Sequence, residues 1–79
     1  MPKLKRLSGK EIAKILSGFD FQAATQKGSH LKLKRLHRGT SQTLTIPLHK
    51  ELDKGTSKAI YNQACRYIDE SELRPYFYS

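Results

Sequence analysis

The residues best suited to chemistry lie in the stretch Lys27-Gly28-Ser29-His30, which runs directly into an alternating segment at residues 31–36. An imidazole titrates near neutral pH and can accept or give a proton, and lysines beside it stabilise negative charge. Gly28 permits a positive φ and Ser29 carries only a small hydroxyl, so the chain can turn tightly beside His30. This combination predicts a site for a phosphodiester.

The alternation of leucine and lysine after His30 is typical of a strand with two different faces. Leu31 and Leu33 then lie on one face, and His30, Lys32 and Lys34 lie on the other. The alternative reading is an ordinary edge strand, in which the lysines prevent pairing with other chains and His30 has no catalytic role.

The net charge of the chain is concentrated in its first half. Residues 1–38 hold ten basic and two acidic side chains, whereas residues 39–79 hold five of each, so the first half carries the whole net charge of +8. Nucleic acid is therefore the expected partner, because each neutralised phosphate releases counterions. The candidate contacts with nucleic acid are Lys27, Lys32, Lys34, Arg35, Lys54 and Lys58.

The chain length of 79 residues predicts a single domain over residues 1–79, with one thin core and a shallow site. Cys65 is the only cysteine, so no internal disulfide is expected and a reducing cytoplasm is the default location. No grouping of acidic, His or Cys residues has metal-ligand spacing, and we expect neither a metal nor another cofactor. No apolar run reaches transmembrane length, so a membrane partner is not expected.

Capping signals and periodicity predict the first four elements. Ser8 and Glu11 have the S-x-x-E spacing of a capping box, which starts a helix that Gly18 should end. Three strands follow, over residues 19–27, from His30 onward, and over residues 43–48, joined by turns at 28–29 and 37–40. In the first strand, Phe19, Phe21 and Ala23 should share a face.

A second helix should begin at residues 55–57. The free backbone N–H groups of its first turn, between Lys54 and Lys58, either bind a phosphate or are satisfied by an ordinary helix cap. A short third helix is expected from Asp69 through Leu73, ended by Pro75, with the aromatic residues 76–78 covering the core. The predicted fold is α+β, in α-β-β-β-α order, with a three-stranded antiparallel sheet, the helices on one face, and the short third helix at the C-terminal end.

Several stretches resemble the HicA family of toxins, also called YcfA-like proteins. They are Leu7-Ser8-Gly9-Lys10-Glu11 with Ile15-Leu16, Gln26-Lys27-Gly28-Ser29-His30, Thr45-Ile46-Pro47-Leu48-His49-Lys50-Glu51-Leu52, and Lys54-Gly55-Thr56 with Gln63-Ala64. The resemblance covers roughly residues 5–65. It implies a fold like that of double-stranded-RNA-binding domains (dsRBD-like), ribonuclease cleavage of mRNA that inhibits translation, catalysis by His30, and inhibition by a HicB antitoxin.

In such a site RNA supplies its own nucleophile, so the expected route needs no metal. His30 would act as general base or acid on the 2′-hydroxyl, while Lys27, Lys32 and Lys34 stabilise the transition state. His49 is either a second acid or base or a structural residue. Two other functions stay open from the residues alone: a non-catalytic RNA-binding module, and a protein-binding element that meets an acidic partner.

Overall fold

The computed structural model of the chain describes residues 2–79. Its elements are α1 (Gly9–Ser17), β1 (Gln22–Lys27), β2 (His30–His37), β3 (Thr40–Pro47), α2 (Lys54–Ala64) and α3 (Glu70–Phe77). The three strands form one antiparallel sheet in the order β1-β2-β3. The predicted α+β, dsRBD-like fold is confirmed, with α3 added after the α-β-β-β-α core.

Two tight hairpins set the order of the strands. Lys27 pairs with His30 across a two-residue turn in which only Gly28 has a positive φ, of 56°, as in a type II′ turn. Arg38 and Gly39 have φ values of 52° and 78°, which is the type I′ pattern. Both turn types match the twist of the strands. Because one hairpin pairs β2 with β1 and the other pairs it with β3, β2 is the central strand. The edge-strand reading of β2 is therefore wrong, because β2 is hydrogen-bonded on both sides.

Helix α1 begins as its capping signal predicts. The Glu11 amide donates to Ser8 Oγ at 3.0 Å, and the Ser8 amide donates back to Glu11 Oε1 at 2.9 Å. The helix ends at Gly18, but this glycine is right-handed, with φ −67°. The left-handed residue is Asp20, with φ 74°, and it turns the chain so that Phe21 enters the core fully buried. Strand β1 therefore starts at Gln22, and the expectation that Phe19 belongs to the strand is wrong.

Helix α3 continues past Pro75, contrary to the prediction that this proline ends it. Pro75 lies inside the helix, which extends to Phe77. Leu73 and Phe77 are four residues apart, so they lie on the same face of the helix, and both are fully buried in the core. The free energy gained by burying these two side chains exceeds the cost of the one backbone hydrogen bond that proline cannot donate. Of the aromatic residues that follow Pro75, only Phe77 is core; Tyr78 is half-buried and Tyr76 is 50% exposed.

The core lies between the inner face of the sheet and the helices. Its buried side chains are Leu7, Ile12, Leu16, Phe21, Leu33, Leu44, Ile46, Leu52, Ile60, Tyr61, Ala64, Ile68, Leu73 and Phe77. The two ends of the chain close this layer, because Leu4 and Tyr78 form an antiparallel bridge. The Lys3 amide donates to the Ser79 carbonyl at 2.8 Å, and the Lys5 amide donates to the Phe77 carbonyl at 2.7 Å.

Candidate nucleic-acid interface and active site

The exposed side of the sheet carries the predicted catalytic residue. We call it the outer face and define it by the side chains of Thr25, Lys27, His30, Lys32, Lys34, Thr43, Thr45 and Pro47. The register of the sheet places these residues opposite one another, with His30 facing Pro47, Lys32 facing Thr45 and Lys34 facing Thr43. The intervening Leu33, Leu44 and Ile46 are buried on the inner side. The predicted alternation of β2 and β3 is therefore confirmed.

A β-bulge decides which face Lys27 occupies. Ala23 pairs with Leu33, but Thr25 pairs with Lys32, so Ala24 is an extra residue on β1. In a regular strand Lys27 would share the inner face with Phe21 and Ala23, because all three have the same parity. The bulge shifts the pattern by one residue, so Thr25 and Lys27 lie on the outer face instead. The weak alternation at Ala23-Ala24 was the signal in the sequence.

His30 lies at the turn end of the central strand, between two paired neighbours. Lys27 is its partner on β1, and Pro47 is its partner on β3. The Leu48 amide donates to the Ser29 carbonyl at 2.6 Å, which ties the turn to the chain beyond β3. His30 is exposed, and no hydrogen bond to its ring is found within residues 2–79. The ring is therefore free to meet a substrate while its backbone is held from both sides.

The outer face is basic and free of carboxylates. The strands β1, β2 and β3 contain no Asp or Glu, and Lys27, Lys32 and Lys34 are all exposed. Lys32 and Lys34 follow His30 at every second residue, so the three side chains form a row with a spacing of about 7 Å. The hydroxyls of Thr25, Thr43 and Thr45 lie beside the lysines in the sheet register and add hydrogen-bond donors for phosphate oxygens.

Arg35 does not lie on the outer face with Lys27, Lys32 and Lys34, the other candidate RNA contacts on the sheet. Its guanidinium donates to the Phe19 carbonyl at 3.0 Å, to the Tyr67 carbonyl at 2.7 Å and to Gln42 Oε1 at 2.8 Å. Its Cζ also lies 4.9 Å from the centre of the Phe21 ring. Arg35 is thus a partly buried structural residue that joins the turn after α1 to the turn after α2.

The start of α2 has the helix cap that the sequence allows as the alternative to a phosphate site. Asp53 is the N-cap, and it accepts from the Thr56 hydroxyl at 2.6 Å and the Thr56 amide at 3.2 Å. These hydrogen bonds lower the pKa of Asp53 below its usual value. Lys54 and Lys58 are exposed on the helical layer and do not join the outer face.

A comparison with protein-family models identifies the family of this chain. The family model described as the HicA toxin of bacterial toxin-antitoxin systems matches residues 9–65 of this chain. The chain belongs to the HicA toxin family. The match includes the whole sheet and every candidate site residue, whereas the N-terminal segment and α3 lie outside it. Comparison with curated proteins and with solved structures found no significant match.

Membership in the HicA family gives the protein the role of a toxin and implies an antitoxin partner. Among residues 2–79, no helix is long and apolar enough to cross a membrane. The same described part of the chain holds no group of three or more His, Cys, Asp or Glu residues arranged to bind a metal ion.

His49, the second candidate histidine of this HicA chain, follows the end of β3. It lies two residues after Pro47, the strand partner of His30, and it is exposed. Its carbonyl accepts from the Gly9 amide at 3.0 Å, which joins this loop to the start of α1. Gly9 has no room for a side chain, because a Cβ there would overlap the Pro47 carbonyl oxygen. The backbone of His49 is thus structural, and no ring hydrogen bond is found within the described residues.

Proposed function

We propose that this HicA-family toxin is an endoribonuclease that cleaves mRNA in the cytoplasm and thereby inhibits translation. The observation that carries the proposal is the composition of the outer face: one exposed histidine, His30, at the head of a row of lysines with no carboxylate in the sheet. A polyanion is attracted to such a face without repulsion, and the histidine supplies the proton-transfer group that a binding surface does not need.

The proposed reaction uses the 2′-hydroxyl of the substrate as the nucleophile. A base removes the 2′-OH proton, the 2′-oxygen forms a bond to the adjacent phosphorus, and the bond from phosphorus to the 5′-oxygen breaks. An acid protonates the departing 5′-oxygen, so the products are a 2′,3′-cyclic phosphate and a 5′-hydroxyl. His30 takes one of these two proton-transfer roles, and the reaction consumes no cofactor or metal.

The lysines act on the charge that develops at phosphorus. Lys27 is the strand partner of His30 and Lys32 is the next outer-face residue on β2, so both flank the position of the reacting phosphate. Lys34 lies one step further and suits a neighbouring phosphate of the same strand. Because these cations are held on a hydrogen-bonded sheet, little rearrangement is needed when the transition state forms.

The reaction needs a second proton-transfer group besides His30. His49, Ser29, a lysine and a water molecule are the candidates. Of these, His49 and Ser29 lie in the two chain segments joined by the hydrogen bond from the Leu48 amide to the Ser29 carbonyl. We assign His49 as the first residue to test, because an imidazole can serve as an acid or a base near neutral pH.

We further propose that the antitoxin is of the HicB type and inhibits by covering the outer face. An acidic protein is attracted by the same lysines as RNA and would exclude the substrate sterically. A structure of the complex that left His30 open while activity was blocked would refute steric masking.

Pure protein incubated in EDTA with a labelled single-stranded RNA tests the proposed activity. We expect cleavage products with 2′,3′-cyclic phosphate and 5′-hydroxyl ends. The control is a DNA of the same sequence, which lacks the 2′-OH and should stay intact. Salt-sensitive RNA binding without cleavage would instead identify a non-catalytic RNA-binding module, and cleavage only after Mg²⁺ is added would refute the proposed route.

A further inference from the structure

A second surface with a different composition lies in the helical layer, away from the outer face. It is a groove of about 1070 Å³ between the N-terminal segment, α1 and the last residues of α3. Helix α1 buries Ile12 and Leu16 against the core, and its Lys14 and Ile15 line the groove. Because the helices cover the inner face of the sheet, the groove does not share residues with the row that starts at His30.

The floor of the groove is apolar and partly exposed. It includes Leu4, Ile15 and Phe19, which are each half-buried, and Tyr76, which is 50% exposed. The rings of Phe19 and Tyr76 meet edge to face with centroids 5.8 Å apart, so Tyr76 is held in place although it is open to solvent. A fixed, exposed tyrosine over an apolar floor is typical of the anchor positions of protein interfaces.

The rim of the groove is strongly basic. Lys3, Lys5, Arg6 and Lys14 line it and are exposed, and Glu11 is its one acidic lining residue. Glu11 is occupied by the capping box, where it accepts from the Ser8 amide. Only Arg6 has an ion-pair partner within the described residues, Glu51 at 3.4 Å. The rim therefore keeps an excess of unpaired positive charge around an apolar floor.

We propose that this groove is a docking site for an acidic amphipathic segment of a partner protein. The apolar face of such a segment would pack on Tyr76 and Ile15, and its carboxylates would meet the lysine rim. The apolar floor favours this occupant over RNA, whose phosphates gain nothing from half-buried leucine and isoleucine. The proposal does not depend on ribonuclease activity, since the groove and the outer face have no residue in common.

The test uses a synthetic helical peptide of about 14 residues, with leucine and phenylalanine on one face and glutamate on the other. Its matched control is a scrambled peptide of the same composition, in which the two kinds of residue are not segregated. Amide shifts of the isotope-labelled protein should change at residues 3–7, 14–19 and 76–79 with the first peptide only. Residues 30–34 should not shift.

Two substitutions on one helix make the test specific. Lys14→Glu reverses a charge on the rim and should weaken peptide binding about tenfold or more. Lys10→Glu makes the same change on α1 outside the groove lining and should leave the affinity within about twofold. Thermal unfolding of both variants, followed by circular dichroism, confirms that they are folded.

Three results would overturn the proposal. The first is equal binding of the ordered and scrambled peptides, or no binding of either. The second is a set of shifts confined to the outer face. The third is a short single-stranded RNA that shifts the groove amides when the peptide does not, which would make the groove a nucleic-acid site. None of these results affects the cleavage assay in EDTA, so the two proposals fail separately.

Discussion

His30 combines a fixed backbone with a free ring. Its strand partners Lys27 and Pro47 hold the backbone from both sides, while no hydrogen bond to the ring is found within residues 2–79. A proton-transfer group needs both properties, because it must be positioned and yet available to the substrate. The alternation of β2 was enough to predict this placement from the sequence.

The same alternation would have excluded Arg35 from the RNA contacts, since it has the parity of Leu31 and Leu33. Only its charge groups Arg35 with the lysines, and in the structure its guanidinium donates to the Phe19 and Tyr67 carbonyls and to the Gln42 side chain. Which carbonyls Arg35 meets depends on the tertiary packing of the turn after α2 against the turn after α1. No local sequence signal contains that information.

Arg35→Ala should lower the free energy of unfolding by at least about 2 kcal/mol, because hydrogen bonds to a charged group contribute about 1.5–3 kcal/mol each. Lys34→Ala, its neighbour on the outer face, should change stability by no more than about 0.5 kcal/mol. Urea unfolding measures both. Equal destabilisation by the two substitutions would contradict the structural role assigned to Arg35.

At the scale of elements, the sequence predicted all the helices and strands and their order, but not all of their first and last residues. Capping residues and hairpin turns are local signals, so α1 and both turns could be located. The bulge at Ala23 to Thr25 and the continuation of α3 through Pro75 depend on what each element packs against. The bulge matters most, because it lets Lys27 lie on the outer face with His30 while Phe21, which has the same parity as Lys27, still enters the core.

Gly9 and Gly55 each lie in the first turn of a helix, but only Gly9 touches a strand end. Gly9→Ala should lower the free energy of unfolding by about 2 kcal/mol or more, since its Cβ would overlap the Pro47 carbonyl. Gly55→Ala meets only the flexible carboxylate of Asp53, at 3.2 Å, and should be neutral or stabilising. Chemical denaturation of the two variants gives the comparison. If Gly9→Ala were as stable as Gly55→Ala, the close approach of α1 to β3 would be wrong.

Tyr61 makes the contact between α2 and α3 sensitive to alkaline pH. Burial and then its hydrogen bond to Glu70 Oε2, at 3.0 Å, raise the pKa of Tyr61 from its ordinary value of 10.0 to about 12. The folded state favours the neutral phenol. The stability that this preference adds to the folded state is therefore fully present below pH 10 and is lost as pH rises towards 12. Urea unfolding from pH 9 upward should show the free energy of unfolding falling with pH. The fall should be less steep for Tyr61→Phe than for the unsubstituted protein. Parallel curves for the two proteins would refute this role.

At the scale of the whole molecule, the chain has two basic surfaces that differ in their apolar content. The outer face carries histidine, lysine and threonine without carboxylates, and the groove on the helical side carries lysines around an apolar floor. The charge asymmetry of the sequence predicted the basic character of both. It did not predict the groove, because the N-terminal segment and the C-terminal residues are far apart in the sequence and meet only in the folded chain, where Leu4 and Tyr78 form a bridge.

RNA affinity should fall log-linearly with salt concentration, because lysine–phosphate contacts release counterions. The double variant Lys32→Ala/Lys34→Ala should reduce the slope by about 1.4, at about 0.7 for each contact to a single strand. The control variant Lys10→Ala/Arg66→Ala removes the same charge from exposed positions outside the sheet. Fluorescence anisotropy over a salt series measures all three proteins. An equal change in slope for both variants would show that net charge, and not the outer face, governs binding.

The central claim is that His30 performs proton transfer in RNA cleavage, and the cleavage rate of His30→Ala in EDTA tests it most directly. The matched control is His37→Ala, which removes the exposed histidine at the other end of the same strand. We predict a loss of about 10²- to 10⁴-fold for His30→Ala, with a folded protein and RNA affinity largely retained, and a rate near that of the unsubstituted protein for His37→Ala. A folded His30→Ala that cleaves RNA at the unsubstituted rate would contradict the account.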